Sequence, residues 1–363
     1  MKVTRAHPPA GDRLDPRVKW DVPIAWVSHL ADRFPAAMLR PVTLIRAVEL
    51  DRKADATGNT RVWLALESLQ VTGSFKVRGA LVALAEARRE HGTNARVVAA
   101  SAGNHGAGVA YAAKVLGLRA TVVMPASAPS AKRARVERSG AELVLLPSTH
   151  YDDAEAHGIA LGRETEAIFV SPYDDPFVAA GNGGSLGFEI ARALGRVPEL
   201  VVCPFGGGGL ASGLGWAFDE VRAGAGAVNA SGQRRVWGVQ SEASPAMALS
   251  LARGSAVTRL EMTEETLAEG LEGGISEGGF ARARPFVAGV VVVSESEIAS
   301  AMAFALHGFG IVLEGSAATA LVPLLRGLPE ELRSTSNEQD LVAVLTGRNV
   351  DRERLLRLPR NED

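Results

Sequence analysis

Lys76 lies in the stretch 71–80 (VTGSFKVRGA), just past Gly73 and Ser74 and next to the ring of Phe75, with Leu81, Val82, Leu84 and Ala85 following at helical spacing. A turn that runs into a helix can hold a lysine amine rigidly against a bound ligand. Free lysine amines titrate near ~10.4, so a solvated one is a poor nucleophile at neutral pH. Desolvation or an imine bond removes the charge and leaves a base. The chain has six lysines (Lys2, Lys19, Lys53, Lys76, Lys114 and Lys132), and arginine carries the remaining positive charge. Only Lys76 combines small neighbours, an adjacent aromatic ring and a helix start.

Three further constellations suit the same chemistry. Gly206, Gly207, Gly208, Gly209 and Leu210 follow an apolar run and precede a helical pattern over 211–218. Consecutive glycines let backbone N–H groups converge on an anion, and a helix start adds positive potential, so this is a phosphate cradle without a cationic side chain. The same stretch fits a dinucleotide fingerprint, Gly206-x-Gly208-x-x-Ala211. However, the strand that should end in an acidic ribose partner ends in Gln240, with Glu242 beyond it. Ser101, Ala102, Gly103, Asn104 and His105 form a second strand-to-helix loop. Its N–H groups and the Ser101 hydroxyl suit a carboxylate, and Asn104 can donate to a ring oxygen. Thr346, directly after the last apolar run, offers a neutral hydroxyl to a pyridine nitrogen and leaves that nitrogen largely unprotonated. A lysine, a phosphate cradle, a carboxylate loop and a neutral ring partner together describe a site for pyridoxal phosphate.

The elements that must position these residues follow a regular pattern. Strands are expected at 41–45, 61–67, 96–100, 120–124, 142–146, 167–170, 199–203, 235–239, 290–293 and 341–345, with helices over about 109–116, 130–139 and 151–166. Short continuous apolar strands alternating with helices indicate a parallel sheet covered on both faces, an α/β fold. Ser294 and Glu297 have capping-box spacing ahead of a helix over 298–306. Residues 51–60 and 268–280 read as loops, and 1–40 as an irregular leader packed on a larger body or on a neighbouring subunit. His150 and His157, seven apart among acidic residues, read as a helix surface and not as a metal site.

With 363 residues the chain exceeds what one core normally holds, so two domains are expected. A net charge of −2 gives no broad basic field for nucleic acid or an anionic membrane. The one cysteine, Cys203, cannot form an internal disulfide and suits a reduced compartment. The N-terminus has no apolar signal core and no stretch is long enough to span a bilayer, so the cytoplasm is expected.

Taken together and in order, 74–80 (SFKVRGA), 101–105 (SAGNH), 206–210 and 346–349 (TGRN) resemble the serine/threonine dehydratase family of fold-type II pyridoxal phosphate enzymes, from about residue 41 to 351. The resemblance implies a fold like that of the tryptophan synthase β subunit, with a large cofactor-binding domain (1–90 and 179–363) and a small domain (91–178). It implies that Lys76 bonds the cofactor, Phe75 flanks its ring, Asn104 holds the 3-oxygen and residues 206–210 the phosphate. Thr346 stands where serine is usual, and Glu314 where the family keeps a glutamate near the cofactor. Ser101, Gly103, Asn104 and His105 line the substrate carboxylate.

The implied reaction eliminates water from a β-hydroxy amino acid of the threonine or serine type, giving a 2-oxo acid and ammonia. Racemisation, β-replacement, or dehydration of a hydroxyaspartate or hydroxyectoine-pathway amino acid are the same-fold alternatives. Ala102 stands where related racemases carry a serine, which favours the dehydratase. Gln240 and Ala246 stand where some members bind a divalent cation, so no such metal is expected. The few residues after Thr346 leave no room for a regulatory domain, which implies a catabolic form. A homodimer or homotetramer is expected.

Overall fold

The apolar runs form strands, and the strands sort into two sheets. The computed structural model describes residues 1–6, 20–128, 130–148, 151–225, 235–260, 262, 264–333 and 339–359. In chain order the strands are β1 (Lys2–Arg5), β2 (Leu44–Arg46), β3 (Thr60–Leu66), β4 (Arg96–Ala100), β5 (Arg119–Pro125), β6 (Glu142–Leu146), β7 (Ile168–Phe169), β8 (Leu200–Pro204), β9 (Val236–Ser241), β10 (Val287–Val293) and β11 (Gln339–Leu345). One sheet has seven strands in the order β1-β10-β9-β8-β11-β3-β2, and the other has four in the order β6-β5-β4-β7. In the larger sheet β10, β9, β8, β11 and β3 run parallel, and β1 and β2 add antiparallel edges. The smaller sheet is parallel throughout. Every residue of β8, β9 and β11 is buried, which is why these strands read as unbroken apolar runs and not as an alternation.

Helix Lys76–His91 buries Val77, Ala80, Leu81, Leu84 and Ala87 in one core with Val97 and Ala99 of β4 and Val109 and Ala112 of helix Asn104–Leu116. The two helices touch closely at the site end: a Cβ on Gly108 would lie 3.1 Å from the Lys76 carbonyl oxygen. The capping box is present, with Ser294 and Glu297 bonding each other's backbone N–H ahead of helix Glu295–Phe309.

Several elements depart from the sequence reading. β1 lies in the stretch read as irregular, and it pairs with β10 from Lys2↔Val292 to Arg5↔Gly289. Farther along the leader, Trp20 stacks on Trp216 with ring centres 4.8 Å apart. Within 268–280 a short 3-10 turn, Glu269–Leu271, is followed by the start of helix Glu277–Ala283, whose cap is Ser276. Helix Asp51–Ala54 opens the other expected loop. Residues 176–194, for which the sequence reading places no element, form one continuous helical rod: Pro176–Ala179, the wider turn Ala180–Gly184, and Ser185–Leu194. A Cβ on Gly183 would fall 2.1 Å from the Leu210 carbonyl oxygen, so glycine there admits helix Gly209–Gly224. His157 lies on helix Tyr151–Thr165, while His150 lies outside the described residues. Among the described residues no helix is long and apolar enough to cross a membrane.

Candidate active site

Lys76 is the first residue of its helix, and the turn before it is stitched to the end of β11. Ser74 forms an isolated bridge with Gly347, the Phe75 N–H donates to the Thr346 carbonyl at 3.0 Å, and the Arg348 N–H donates to the Gly73 carbonyl at 2.9 Å. The Lys76 amine donates to the Pro172 carbonyl at 3.3 Å and lies 5.2 Å from the centre of the Phe75 ring. Burial pulls this amine down to about 8, against the raising influence of Glu314.

Glu314 is the hub of a polar cluster. Asn104 Nδ2 donates to both of its carboxylate oxygens, at 2.8 and 3.0 Å, and the Asn349 N–H donates to Oε2 at 3.1 Å. Asn349 Nδ2 in turn donates to Asn104 Oδ1 at 2.6 Å and to the Thr72 carbonyl at 3.0 Å. Desolvation raises Glu314 to about 6 in spite of these donors. Gly347 is required here, because a Cβ on it would lie 2.3 Å from Glu314 Oε1. The Thr346 residue is buried, and its hydroxyl makes no hydrogen bond to any described residue.

The glycine loop leaves β8 and enters helix Gly209–Gly224 through Gly208, whose φ of +93° only glycine adopts readily. No side chain caps this helix, and the N–H groups of residues 206–211 have no partner among the described residues. A Cβ on Gly207 would sit 2.4 Å from Tyr173 Cβ. Tyr173 follows Pro172, which takes the Lys76 hydrogen bond, so the cradle and the amine flank one short segment. Glycines without room for a Cβ, unpaired N–H groups, an unpartnered hydroxyl and a desolvated amine all suit a phosphorylated pyridine aldehyde.

The Ser101 loop joins the cluster through Asn104. Ser101 Oγ accepts from the Gly103 N–H at 3.1 Å. Helix Asn104–Leu116 has no side-chain cap, which leaves the N–H groups of Asn104 and His105 unpaired among the described residues. The His105 ring is buried, and its Nε2 lies 2.9 Å from the Val170 carbonyl. That carbonyl only accepts, so Nε2 carries the proton and Nδ1, which has no partner among the described residues, is a bare acceptor. Burial first, and then the Lys76 charge, push the imidazole down to about 3, so it stays neutral.

Sequence reasoning missed the supports. Arg78, fully buried, donates to Glu67 at 2.8 and 2.9 Å and to Glu189 at 2.8 Å twice. Glu189 Oε2 also accepts from the Val42 N–H at 2.7 Å. Partners 11 and 111 residues away leave no local signal. Lys132 and Arg354 both bond Glu269, at 2.9 and 2.7 Å, which joins a helix beside the small sheet to the loop next to the glycines. Among the described residues no group of three or more His, Cys, Asp or Glu is arranged to hold a metal ion.

A family model described as "Pyridoxal-phosphate dependent enzyme" matches residues 40–347. The L-threonine ammonia-lyase of Thermotoga maritima is 38% identical over 304 residues, which cover 82% of this chain and 69% of that protein. The L-threonine dehydratase catabolic TdcB of Escherichia coli is 36% identical over 300 residues, 81% of this chain and 84% of that one. Among solved structures, the processed form of threonine deaminase isoform 2 from Solanum lycopersicum matches with a TM-score of 0.80 at 26% identity, over 98% of this chain and 96% of that one.

Proposed function

The chain belongs to the pyridoxal-phosphate dependent enzymes, and on that premise we propose that it is an ammonia-lyase that dehydrates a β-hydroxy amino acid of the threonine or serine type. The observation that carries the reading is the pairing of a desolvated Lys76 amine with an uncapped glycine-rich helix start, both on the Pro172–Tyr173 segment.

When bound, pyridoxal phosphate supplies an aldehyde for the amino group and a ring that spreads the negative charge left at the α-carbon. Lys76 would carry the cofactor, and Phe75 would flank it. The N–H groups of Gly206, Gly207, Gly208, Gly209 and Leu210 would take the phosphate. Asn104, braced by Glu314, would hold the 3-oxygen. Thr346 would offer its neutral hydroxyl to the ring nitrogen. The Ser101 hydroxyl, held by the Gly103 N–H, and the backbone N–H groups of Asn104 and His105 would receive the substrate carboxylate. The ring of His105, an acceptor at Nδ1, is suited to a donor and not to the carboxylate itself. The Lys76 amine would take the α-proton, because burial leaves a useful fraction of it neutral. The α-C–H and β-C–O bonds break and water leaves. One water is then consumed in cleaving the C–N bond, so a 2-oxo acid and ammonia are the net products.

Ala102 packs against the small apolar cluster that contains Ala110, Val122, Met124, Ala128 and Val136 and has no proton to move, which supports elimination over racemisation. The same reading groups 1–90 with 179–363 as the cofactor-binding domain and 91–178 as the small one, in a cytoplasmic homodimer or homotetramer. The test is an absorbance scan followed by a 2-oxo acid assay with threonine, serine and 3-hydroxyaspartate. A violet-edge band lost in Lys76→Ala, with 2-oxo acid formed from one of these amino acids, is expected. A cofactor-loaded protein that inverts the α-carbon faster than it releases ammonia overturns the assignment.

A further inference from the structure

Gln240 is the penultimate residue of β9, next to the strand that feeds the glycine loop, and it is fully buried. All three hydrogen bonds of its side chain go to main chain. Nε2 donates to the Phe205 carbonyl at 3.1 Å, and Oε1 accepts from the N–H groups of Met247 and Ala248 at 3.0 Å each. The last backbone bond between β8 and β9 at this end runs from the Phe205 N–H to the Val239 carbonyl at 2.9 Å. The Phe205 carbonyl lies just beyond that ladder, and Gln240 extends the ladder by one bond.

The bond bears on the cradle through peptide geometry. The Phe205 carbonyl and the Gly206 N–H belong to one planar trans peptide and point in opposite directions. A donor that fixes the oxygen therefore fixes the direction of the Gly206 N–H. Donation to the carbonyl also polarises that peptide and makes its N–H a better donor. The Phe205 ring is held as well, since a Cβ on Gly238 would lie 2.5 Å from it. At the other end, the amide oxygen ties the same point to the first turn of helix Ala246–Arg253, for which no other side-chain cap is present. An amide can donate on one side and accept on the other without burying a charge, which a carboxylate cannot.

Resting on the reading of the 206–210 loop as a phosphate cradle, we propose that Gln240 is a positioning residue that aims the Gly206 N–H at the cofactor phosphate.

The test compares pyridoxal phosphate with pyridoxal, which lacks the phosphate, in titrations of the full-length protein stripped of cofactor. Gln240→Glu keeps the acceptor and loses the donor, and Gln240→Met loses both at similar volume. In either variant that folds by circular dichroism, the Kd for pyridoxal phosphate rises about tenfold, the loss of one well-made hydrogen bond, while the Kd for pyridoxal stays unchanged. Equal weakening of both ligands reveals a structural role only and overturns the proposal, as does no weakening of either. In the wild-type protein, the Gln240 side-chain amide resonance in a 15N spectrum shifts on adding pyridoxal phosphate and not on adding pyridoxal; a resonance indifferent to both also overturns it. If wild-type protein fails to prefer pyridoxal phosphate over pyridoxal, the cradle reading itself falls, a result distinct from either variant outcome.

Discussion

Arg78 lies two residues past Lys76 in the opening turn of one helix, and its guanidinium is closed on two sides by the carboxylates of Glu67 and Glu189. The Arg40 carbonyl and the Ser185 hydroxyl complete its surroundings at 3.3 and 3.2 Å. Those contacts hold the start of the helix, and so the direction in which the Lys76 side chain leaves it. Arg78→Leu leaves the buried carboxylates of Glu67 and Glu189 without their cation, Glu189 keeping only the Val42 N–H, so a loss of about 3–5 kcal/mol is expected. Denaturant titration measures it, and a loss under ~1 kcal/mol contradicts the anchoring role.

Lys76 is expected to react as a neutral amine far below the ordinary lysine range. With burial lowering it to about 8, roughly a quarter is uncharged at pH 7.5, against about 0.1% for an unperturbed side chain. Competitive acetylation of the cofactor-free protein, read by peptide mass spectrometry across pH 6–11, locates the midpoint. A value near 10 sinks the desolvation argument.

Glu314 imposes the opposite dependence. Its carboxyl is raised from 4.5 to about 6 in the folded chain by desolvation. Between those values the folded state holds more proton than the unfolded one, so folding weakens as pH climbs from about 4.5 through 6. Glu314→Gln removes that titration. The difference in melting temperature, variant minus wild type, should therefore increase over the interval; a flat difference rejects the assignment.

Gly207→Ala tests the cradle without touching a charge. The added methyl group meets Tyr173 at 2.4 Å, and the loop must shift. Cofactor affinity should fall at least tenfold, while the larger sheet keeps its stability to within about 1 kcal/mol. Equilibrium dialysis against pyridoxal phosphate decides it, and unchanged affinity counts against phosphate on this loop.

Much of the site was legible because its motifs are short and local: the strand-to-helix loops at 74–80, 101–105 and 206–210 declare themselves by glycine, by small side chains and by what flanks them. The seven-stranded sheet was readable for a similar reason, since strands buried on both faces must be apolar without interruption. What stayed hidden depends on distant pairs. Asn349 reaches Asn104 across 245 residues, and Gln240 reaches back 35 residues to Phe205. The helical rod over 176–194 carries no sequence signal because its glycines serve distant neighbours: Gly181 admits the Arg78 carbonyl and Gly183 the Leu210 carbonyl. β1 is four residues with two cations, too brief and polar to stand out.

Cys203 sits within β8 with no exposure, and burial pushes its thiol up to about 12. At any physiological pH it stays protonated and out of reach of oxidants and alkylating agents. The protein is thereby indifferent to the thiol balance of its surroundings: its catalytic competence should neither be switched by peroxide at this position nor depend on added reductant, and a cysteine introduced on the surface would be the first a maleimide dye finds.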